Sequence, residues 1–326
     1  MSKNLYIEHS NIPSQDSVKR SVLRSLIYFD IFNYPLTSNE LAQFSAIKLH
    51  DIQSITDALD DLTQHLLIYR FGDYYSLKND PTQIERRKTG NNTAAEILPK
   101  ALKRSKFISK FPFVRSVNIS GSLSKNYFDD STDFDFFIIT EKNRIWLCRL
   151  MLTLYKKIFL FNSRKYFCIN YYIDTTDLLI PDKNLFSATE IITLKNQTGE
   201  VVYKNFIETN TWVKEYFPNY FPDYLFMEEK KKPKLKKILE RLFSGNIGNY
   251  FDDLAFKITT GFLKKKYSHL KKEEFNVNLR TKKNASKHHP QGFQFKVLNA
   301  FEEKCRDFEG KHGVRGLGTW DTGQRT

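Results

Sequence analysis

Cysteine is scarce in this chain, and its scarcity excludes two common ways of stabilising a fold. The 326 residues include three cysteines, Cys148, Cys168 and Cys305, which lie far apart and form no CxxC pair. An odd and dispersed set of this kind argues against a disulfide framework and against a zinc site. Because such usage is typical of a reducing compartment, we expect a cytoplasmic location.

Long apolar segments are also lacking. The first residues, MSKNLYIEHSNIPSQ, do not have the basic and then apolar layout of a signal peptide. The most apolar run, residues 145–161, is interrupted by Arg149, Lys156 and Lys157 and is too short for a transmembrane helix. We therefore expect a core helix at this position and no membrane partner.

Acidic residues are too few to balance the basic ones. The chain has 51 Lys and Arg against 37 Asp and Glu, which leaves a net charge of +14. Much of the excess lies late in the chain, at 230–237, 264–266 and 271–287. Lysine runs of this kind are typical of a solvated surface. Attraction of a polyanion such as RNA, DNA or a nucleotide is the alternative.

Residues 1–80 have the pattern of a winged helix. Helical apolar spacing at 18–32 is followed by a capping box formed by Thr37 and Glu40, and then by an amphipathic helix over 51–66. The segment LIYRFGDYYSL alternates on both sides of a Gly-Asp pair, which predicts a hairpin. The helix over 51–66 carries four aspartates and no lysine or arginine, which argues against binding of duplex DNA.

Residues 81–180 have the pattern of an α/β domain. Strand patterns at 114–120, 133–140 and 165–174 alternate with a short helix and then a long one. The segments after residue 180 are mostly helical and basic, so we expect a helical domain at 181–300 and a C-terminal tail at 301–326. The predicted fold class is therefore α/β, preceded by a winged helix and followed by a helical region.

One stretch of the α/β domain, SGSLSKNYFDDSTDFDFFIIT, carries a recognisable pattern of charged and turn residues. Alternation along a strand puts Asp133 and Asp135 on one face, where two carboxylates repel each other unless a cation lies between them. Gly121 and Ser122 form a turn before a short helix, whose free N–H groups attract phosphate. Together these residues predict a phosphate site facing a Mg²⁺ site, as nucleotidyl transfer requires.

This stretch resembles the signature of the DNA polymerase β-like nucleotidyltransferase superfamily. The signature is a Gly-Ser turn, a spacer of about ten residues and an Asp-apolar-Asp-apolar strand, and the chain also has Lys125 where the family often has a basic residue. The surrounding run resembles a bacterial subgroup with an N-terminal winged helix. The resemblance implies a nucleotidyltransferase core with a mixed sheet, Mg²⁺ or Mn²⁺ as the cofactor, and a nucleoside triphosphate as the substrate. The acceptor stays open between a protein, a small molecule and a nucleic acid.

The third carboxylate that superfamily enzymes usually carry is replaced in this chain. Asn170 stands at the corresponding strand position, and Asp174, four residues later, can take the role only if the strand bends or ends early. Arg149, on the following helix, either contacts the phosphates or lies on the helix surface. Because asparagine cannot take a proton, a catalytically impaired module that binds nucleotide and Mg²⁺ is an alternative to the enzyme. A winged-helix DNA-binding regulator is the other alternative.

Overall fold

The computed structural model describes residues 13–163, 165–222, 233–270, 275, 279–287 and 292–318. The chain forms two compact units. The described parts of the first unit are 13–84, 214–220 and 299–318, and those of the second lie within 85–213 and 221–298. All residues of the predicted site belong to the second unit.

The first unit combines helices with a small antiparallel sheet. Its first helices and strands are α1 (Gln15–Asp30), β1 (Leu36–Thr37), α2 (Ser38–Gln43), α3 (Gln53–Gln64), β2 (Tyr69–Phe71) and β3 (Tyr74–Ser76). Strand β3 lies between β1 and β2. The predicted capping box is confirmed, since Glu40 N–H donates to Thr37 Oγ1 over 3.3 Å and Thr37 N–H donates to the Glu40 carboxylate over 2.9 Å. This order of helices and strands agrees with the one predicted from the sequence.

The second unit is built on a mixed sheet of six strands. Its strands are β4 (Val114–Ser120), β5 (Asp135–Thr140), β6 (Cys168–Asp174), β7 (Lys195–Thr198), β8 (Thr281–Lys282) and β9 (Ala285–Lys287), in the spatial order β7-β4-β5-β6-β9-β8. The β5–β6 pair is parallel and the other pairs are antiparallel. The α/β class with a mixed sheet is thus as predicted.

The remaining helices follow along the chain, and residues 214–215 and 299–312 among them belong to the first unit. They are α4 (Thr82–Ile108), α5 (Gly121–Ser124), α6 (Ile145–Phe159), α7 (Leu185–Ile192), α8 (Glu200–Thr209), a 3₁₀ turn (Thr211–Glu215), α9 (Lys234–Leu242), α10 (Gly245–Lys266) and α11 (Phe293–His312). Trp146, Cys148 and Leu152 of α6 are buried in one core with Phe136 and Ile138 of β5. The predicted core helix at 145–161 is therefore confirmed for its first half, whereas Ile158, Phe159 and Phe161 at the end of that segment are exposed. Among the described residues, no helix combines the length and apolar character needed to cross a bilayer.

Strand alternation separates the polar end of β5 from this core. Phe136 and Ile138 face the core, so Asp135 and Phe137 point to the opposite face of the sheet. On that face Phe137 packs edge-on against Tyr171 of β6 with ring centroids 5.4 Å apart. The two rings cover the middle of this face of the sheet, and Asp135 lies beyond them at the first position of β5.

The structure differs from the predicted domain boundary at residue 180. Strand β7 pairs with β4, and the β8–β9 hairpin extends the sheet beside β6. The α/β domain therefore continues through residues that were predicted to form a helical domain. These strands escape a sequence prediction because KNQT, TK and ASK are short and polar and show no apolar alternation.

The predicted C-terminal tail also differs from the structure. Residues 301–312 belong to α11, where Val297, Phe301 and Cys305 form a buried stripe at helical spacing. The Lys304 ammonium lies 2.6 Å from the Asp30 carboxylate of α1. The chain up to His312 is therefore part of a packed helix, and residues 319–326 lie outside the described residues.

Two glycines of the second unit give a matched test of this packing. Gly199 has φ +73°, and a Cβ there would lie 2.9 Å from Ser116 Cα in β4, whereas a Cβ on Gly261 of α10 meets no atom within 4 Å. We expect Gly199→Ala to lower the free energy of unfolding by more than about 2 kcal/mol. Gly261→Ala should raise it by about 0.5–1 kcal/mol, because alanine is the better helix former. Denaturant unfolding measures both changes, and equal effects would contradict the described contact between the β7–α8 corner and β4.

Candidate functional site

The Gly-Ser turn lies directly against Asp135. Strand β4 ends at Ser120, which pairs with Asp135 across the β4–β5 ladder. Gly121 follows with φ +66°, in the left-handed region, and a Cβ built there would collide with the Asp135 carboxylate and lie 3.2 Å from its Cγ. Both the backbone conformation and the close approach therefore require glycine at this position. Ser122 is the second residue of the turn and lies partly exposed beside it.

Asp135 is held in an environment that disfavours its negative charge. The pKa of the Asp135 carboxyl is raised to about 7, first by burial and then by the nearby carboxylates of Asp133 and Glu190, against the hydrogen bonds that lower it. Burial of a carboxyl and negative charge near it both disfavour its ionised form. The predicted repulsion between Asp133 and Asp135 is thus present in the folded chain.

Asn170 forms the third side of the site. Its side-chain amide donates a hydrogen bond to Asp135 Oδ1, and its own Oδ1 lies 3.1 Å from the Cys168 thiol. Cys168 pairs with Asp135 across β5 and β6, and the register then shifts, so that Asn170 is an extra residue in β6. Asn170 therefore has no ladder partner in β5, and its side chain reaches the Asp135 carboxylate from beside the Asp135–Cys168 pair.

Asp174, the other candidate for the third position, lies elsewhere. It pairs with Thr140, at the end of the β5–β6 ladder farthest from Asp135. Its carboxylate accepts hydrogen bonds from the Asn143 N–H over 3.0 Å and from the Thr176 N–H over 2.9 Å. Asp174 therefore caps the loops at the end of its strand, and Asn170 is the residue of β6 that meets Asp135.

Lys125 forms hydrogen bonds that hold the Gly-Ser turn in place. Its ammonium donates to the Gly121 carbonyl oxygen over 3.2 Å and to the Glu190 carboxylate over 2.7 Å. The lysine thus connects the Gly-Ser turn to α7 and places a positive charge beside it. The sequence analysis did not predict Glu190 as a residue of this site. The available signal is that Glu190 is the one charged residue in the otherwise apolar or hydroxyl-bearing helix LFSATEII.

Arg149 does not join these residues. Its guanidinium donates to Ser286 Oγ in β9 over 2.7 Å and lies over the rings of Tyr172 and Trp146, at 5.6 Å and 5.9 Å from their centroids. Tyr172 belongs to the core cluster on the face of the sheet opposite Asp135. The structure therefore brings together Gly121, Ser122, Lys125, Asp133, Asp135 and Asn170, and it leaves Arg149 apart.

The residues of the site fit a cation that takes part of its coordination from a substrate. Among the described residues no three His, Cys, Asp or Glu side chains form a group that could hold a metal ion by themselves. Mg²⁺ commonly binds through one or two carboxylates and completes its shell with water and substrate phosphates. Asp133 and Asp135 would supply the two carboxylates of such a site.

Comparison with known proteins adds no relative to this description. The chain matches no family model, no curated protein and no solved structure. The molecule is an α/β protein whose mixed sheet carries a glycine turn against paired carboxylates.

The cost of charging Asp135 can be measured through stability. Its pKa is about 7 in the fold against an ordinary value of 3.8, so the carboxyl destabilises the metal-free protein increasingly as the pH rises between those values. We expect Asp135→Asn to raise the free energy of unfolding by about 2 kcal/mol at pH 8 and to have little effect at pH 4. Denaturant unfolding with a chelator present tests this. The control is Asp130→Asn in the preceding exposed loop, and a loss of stability at pH 8 in Asp135→Asn would contradict the assignment.

Proposed function

We propose that this chain is a Mg²⁺-dependent nucleotidyltransferase of the DNA polymerase β-like type. It would move a nucleoside monophosphate from a nucleoside triphosphate to an acceptor, releasing pyrophosphate. The observation that carries the proposal is the packing of the Gly121 backbone against the Asp135 carboxylate. That packing supports the proposal because a turn that could bind phosphate lies beside acids that could hold a cation, and a metal–triphosphate complex needs both.

Each residue of the site has a role that follows from its contacts. Asp133 and Asp135 would hold the metal ion, which when bound offsets the negative charge that develops on the transferred phosphate. The first N–H groups of the turn at Gly121 and Ser122 lack partners within their short helix and can bind phosphate oxygens. Lys125 holds the turn in place through the Gly121 carbonyl and adds positive charge next to it.

Asn170 lies where superfamily enzymes usually carry a third carboxylate. As a hydrogen-bond donor to Asp135 it reduces the repulsion among the acids, but it cannot accept a proton from an acceptor hydroxyl. This feature favours the second candidate function, a module that binds nucleotide and Mg²⁺ with little or no turnover. The two candidates share the site and differ in whether pyrophosphate is released.

The first unit is proposed to be a winged helix that serves contacts with other proteins. Its helices and three-stranded sheet follow the order of that arrangement. Asp57 and Asp60 are exposed on α3, the helix that would enter the major groove. Carboxylates at these positions repel DNA phosphates, so a DNA-binding regulator is the less favoured interpretation.

Turnover of nucleoside triphosphates tests the main proposal. With Mg²⁺ present, we expect the protein to release pyrophosphate from at least one of the four ribonucleoside triphosphates when proteins, small molecules and nucleic acids are supplied as acceptors. Asp133→Asn and Asp135→Asn should each lower the rate by at least ~100-fold, because each removes a metal ligand. Asp130→Asn is the matched control and should keep the rate of the unchanged protein.

The outcomes separate the candidates. Binding of Mg²⁺ and nucleotide that Asp135→Asn weakens, without pyrophosphate release, would support the binding module and exclude the enzyme. Unchanged binding and rate in both aspartate variants would exclude both.

Asn170→Asp tests whether the third position belongs to the metal site. The variant loses the donor to Asp135 and adds a third carboxylate, so without metal it should be less stable than the unchanged protein at pH 8. Mg²⁺ should then raise its melting temperature more than it raises that of the unchanged protein. Asn170→Ala, which removes the donor without adding charge, is the control. Equal Mg²⁺ responses in the two variants would place residue 170 outside the metal site.

A further inference from the structure

A cavity lies on the helix side of β6, within the second unit. It has a volume of about 530 Å³ and is lined by residues of α6, α10 and the first part of β6. A volume of this size suits a small organic molecule. Asn170 and Cys168 contribute to its wall, so the cavity shares two residues with the surroundings of Asp135.

The charge of the cavity has one sign. Its lining includes the four cations Arg149, Lys156, Lys157 and Lys266, and none of its lining residues in the described chain is an aspartate or glutamate. Four cations around one cavity without an acid produce a positive potential that attracts anions. The charge of the lining therefore favours an anionic ligand over a neutral or cationic one.

Arg149 is the strongest element of this potential. Its contacts are the Ser286 hydroxyl and the rings of Tyr172 and Trp146. Among the residues that the structure describes, no carboxylate lies within 4.0 Å of its guanidinium. Burial lowers the pKa of Arg149, because the charged guanidinium is less stable away from water. A guanidinium that is fixed in orientation and lacks a counter-charge is ready to bind an anion with two hydrogen bonds.

The walls of the cavity are apolar. Phe167 and Tyr172 are 2% exposed and line its inner side, whereas Ile258 and Phe262 of α10 are 59% and 62% exposed and line its outer side. The cavity therefore opens toward solvent along α10. Apolar side chains contribute nothing to the binding of an inorganic anion, but they stabilise a ligand that has an apolar part of its own.

We propose that this cavity binds an organic anion with an aromatic ring or a short aliphatic chain, its charged group on Arg149 and its apolar part between Phe167 and Phe262. The ligand class follows from the lining, since a phosphate or carboxylate group matches the cations and a ring matches the walls. This binding goes beyond the proposed nucleotidyl transfer and does not depend on it. Because Asn170 lies in the wall, the bound molecule would be a neighbour of the Asp135 site across β6.

The test uses a pair of probes that share a naphthyl ring and differ in whether they carry a phosphate group. Binding of 1-naphthyl phosphate and of 1-naphthol is measured by calorimetry, with a chelator present and without nucleotide, so that failure of nucleotidyl transfer does not affect the result. We expect 1-naphthyl phosphate to bind at least about ten times more tightly than 1-naphthol and than inorganic phosphate. Equal affinities of the two naphthyl probes would overturn the proposal.

Two matched pairs of variants locate the binding. Lys266 lines the cavity and Lys265, also exposed in the last turn of α10, does not. Lys266→Met should weaken 1-naphthyl phosphate about three- to tenfold while Lys265→Met leaves it unchanged. Thr259→Trp fills the cavity and should abolish binding, whereas Lys257→Trp, on an exposed position of the same helix, should not. These α10 positions leave the buried contacts of Arg149 intact, so the variants should fold. Equal losses in either pair would overturn the proposal.

Discussion

The second unit depends on the close approach of the Gly121 backbone to the Asp135 carboxylate. No other residue fits at position 121, because a Cβ would collide with that carboxylate and the backbone is in the left-handed region. The approach fixes where β4 ends and where β5 begins, since Ser120 and Asp135 are partners in the ladder. A turn that exposes N–H groups and a strand end that exposes acids therefore meet at one edge of the sheet.

This arrangement has a cost that the surrounding residues only partly offset. Asp133 and Glu190 surround Asp135 with negative charge, and burial raises the pKa of Asp135 to about 7. The Asn170 amide and the Lys125–Glu190 ion pair reduce the repulsion without removing it. A fold selected for stability alone would not keep such a group. The raised pKa makes Asp135 a candidate for binding a cation, and the hydrogen bond from Asn170 stabilises its charged form.

The two faces of β6 carry different chemistry, and both Cys168 and Asn170 lie near Asp135 and line the cavity. Tyr172 lies on the face that packs against α6, where Arg149 and the basic cavity are found. Cys168 and Tyr171 lie on the face of Asp135 and Phe137. The bulge between Ile169 and Tyr171 frees Asn170 from regular alternation, so that it contacts Asp135 and also lines the cavity. A molecule bound in the cavity would therefore contact Asn170, which donates a hydrogen bond to Asp135.

The sequence alone determined the parts of this protein that depend on local pattern. Alternation, helical spacing and turn chemistry were enough for the central strands, the capping box and the Gly121-Ser122 turn, because each arises from residues close in the chain. Tertiary structure decided the rest. The short polar strands β7, β8 and β9 exist through pairing with β4 and β6, Glu190 reaches the site from α7, and the place of Asn170 depends on a bulge. Arg149 lies on the far face because α6 packs against that face of the sheet through Trp146 and Leu152, each three residues from Arg149. Contacts between residues distant in the chain leave no periodic mark on the sequence, so the site's electrostatics and its adjoining cavity became visible only in the fold.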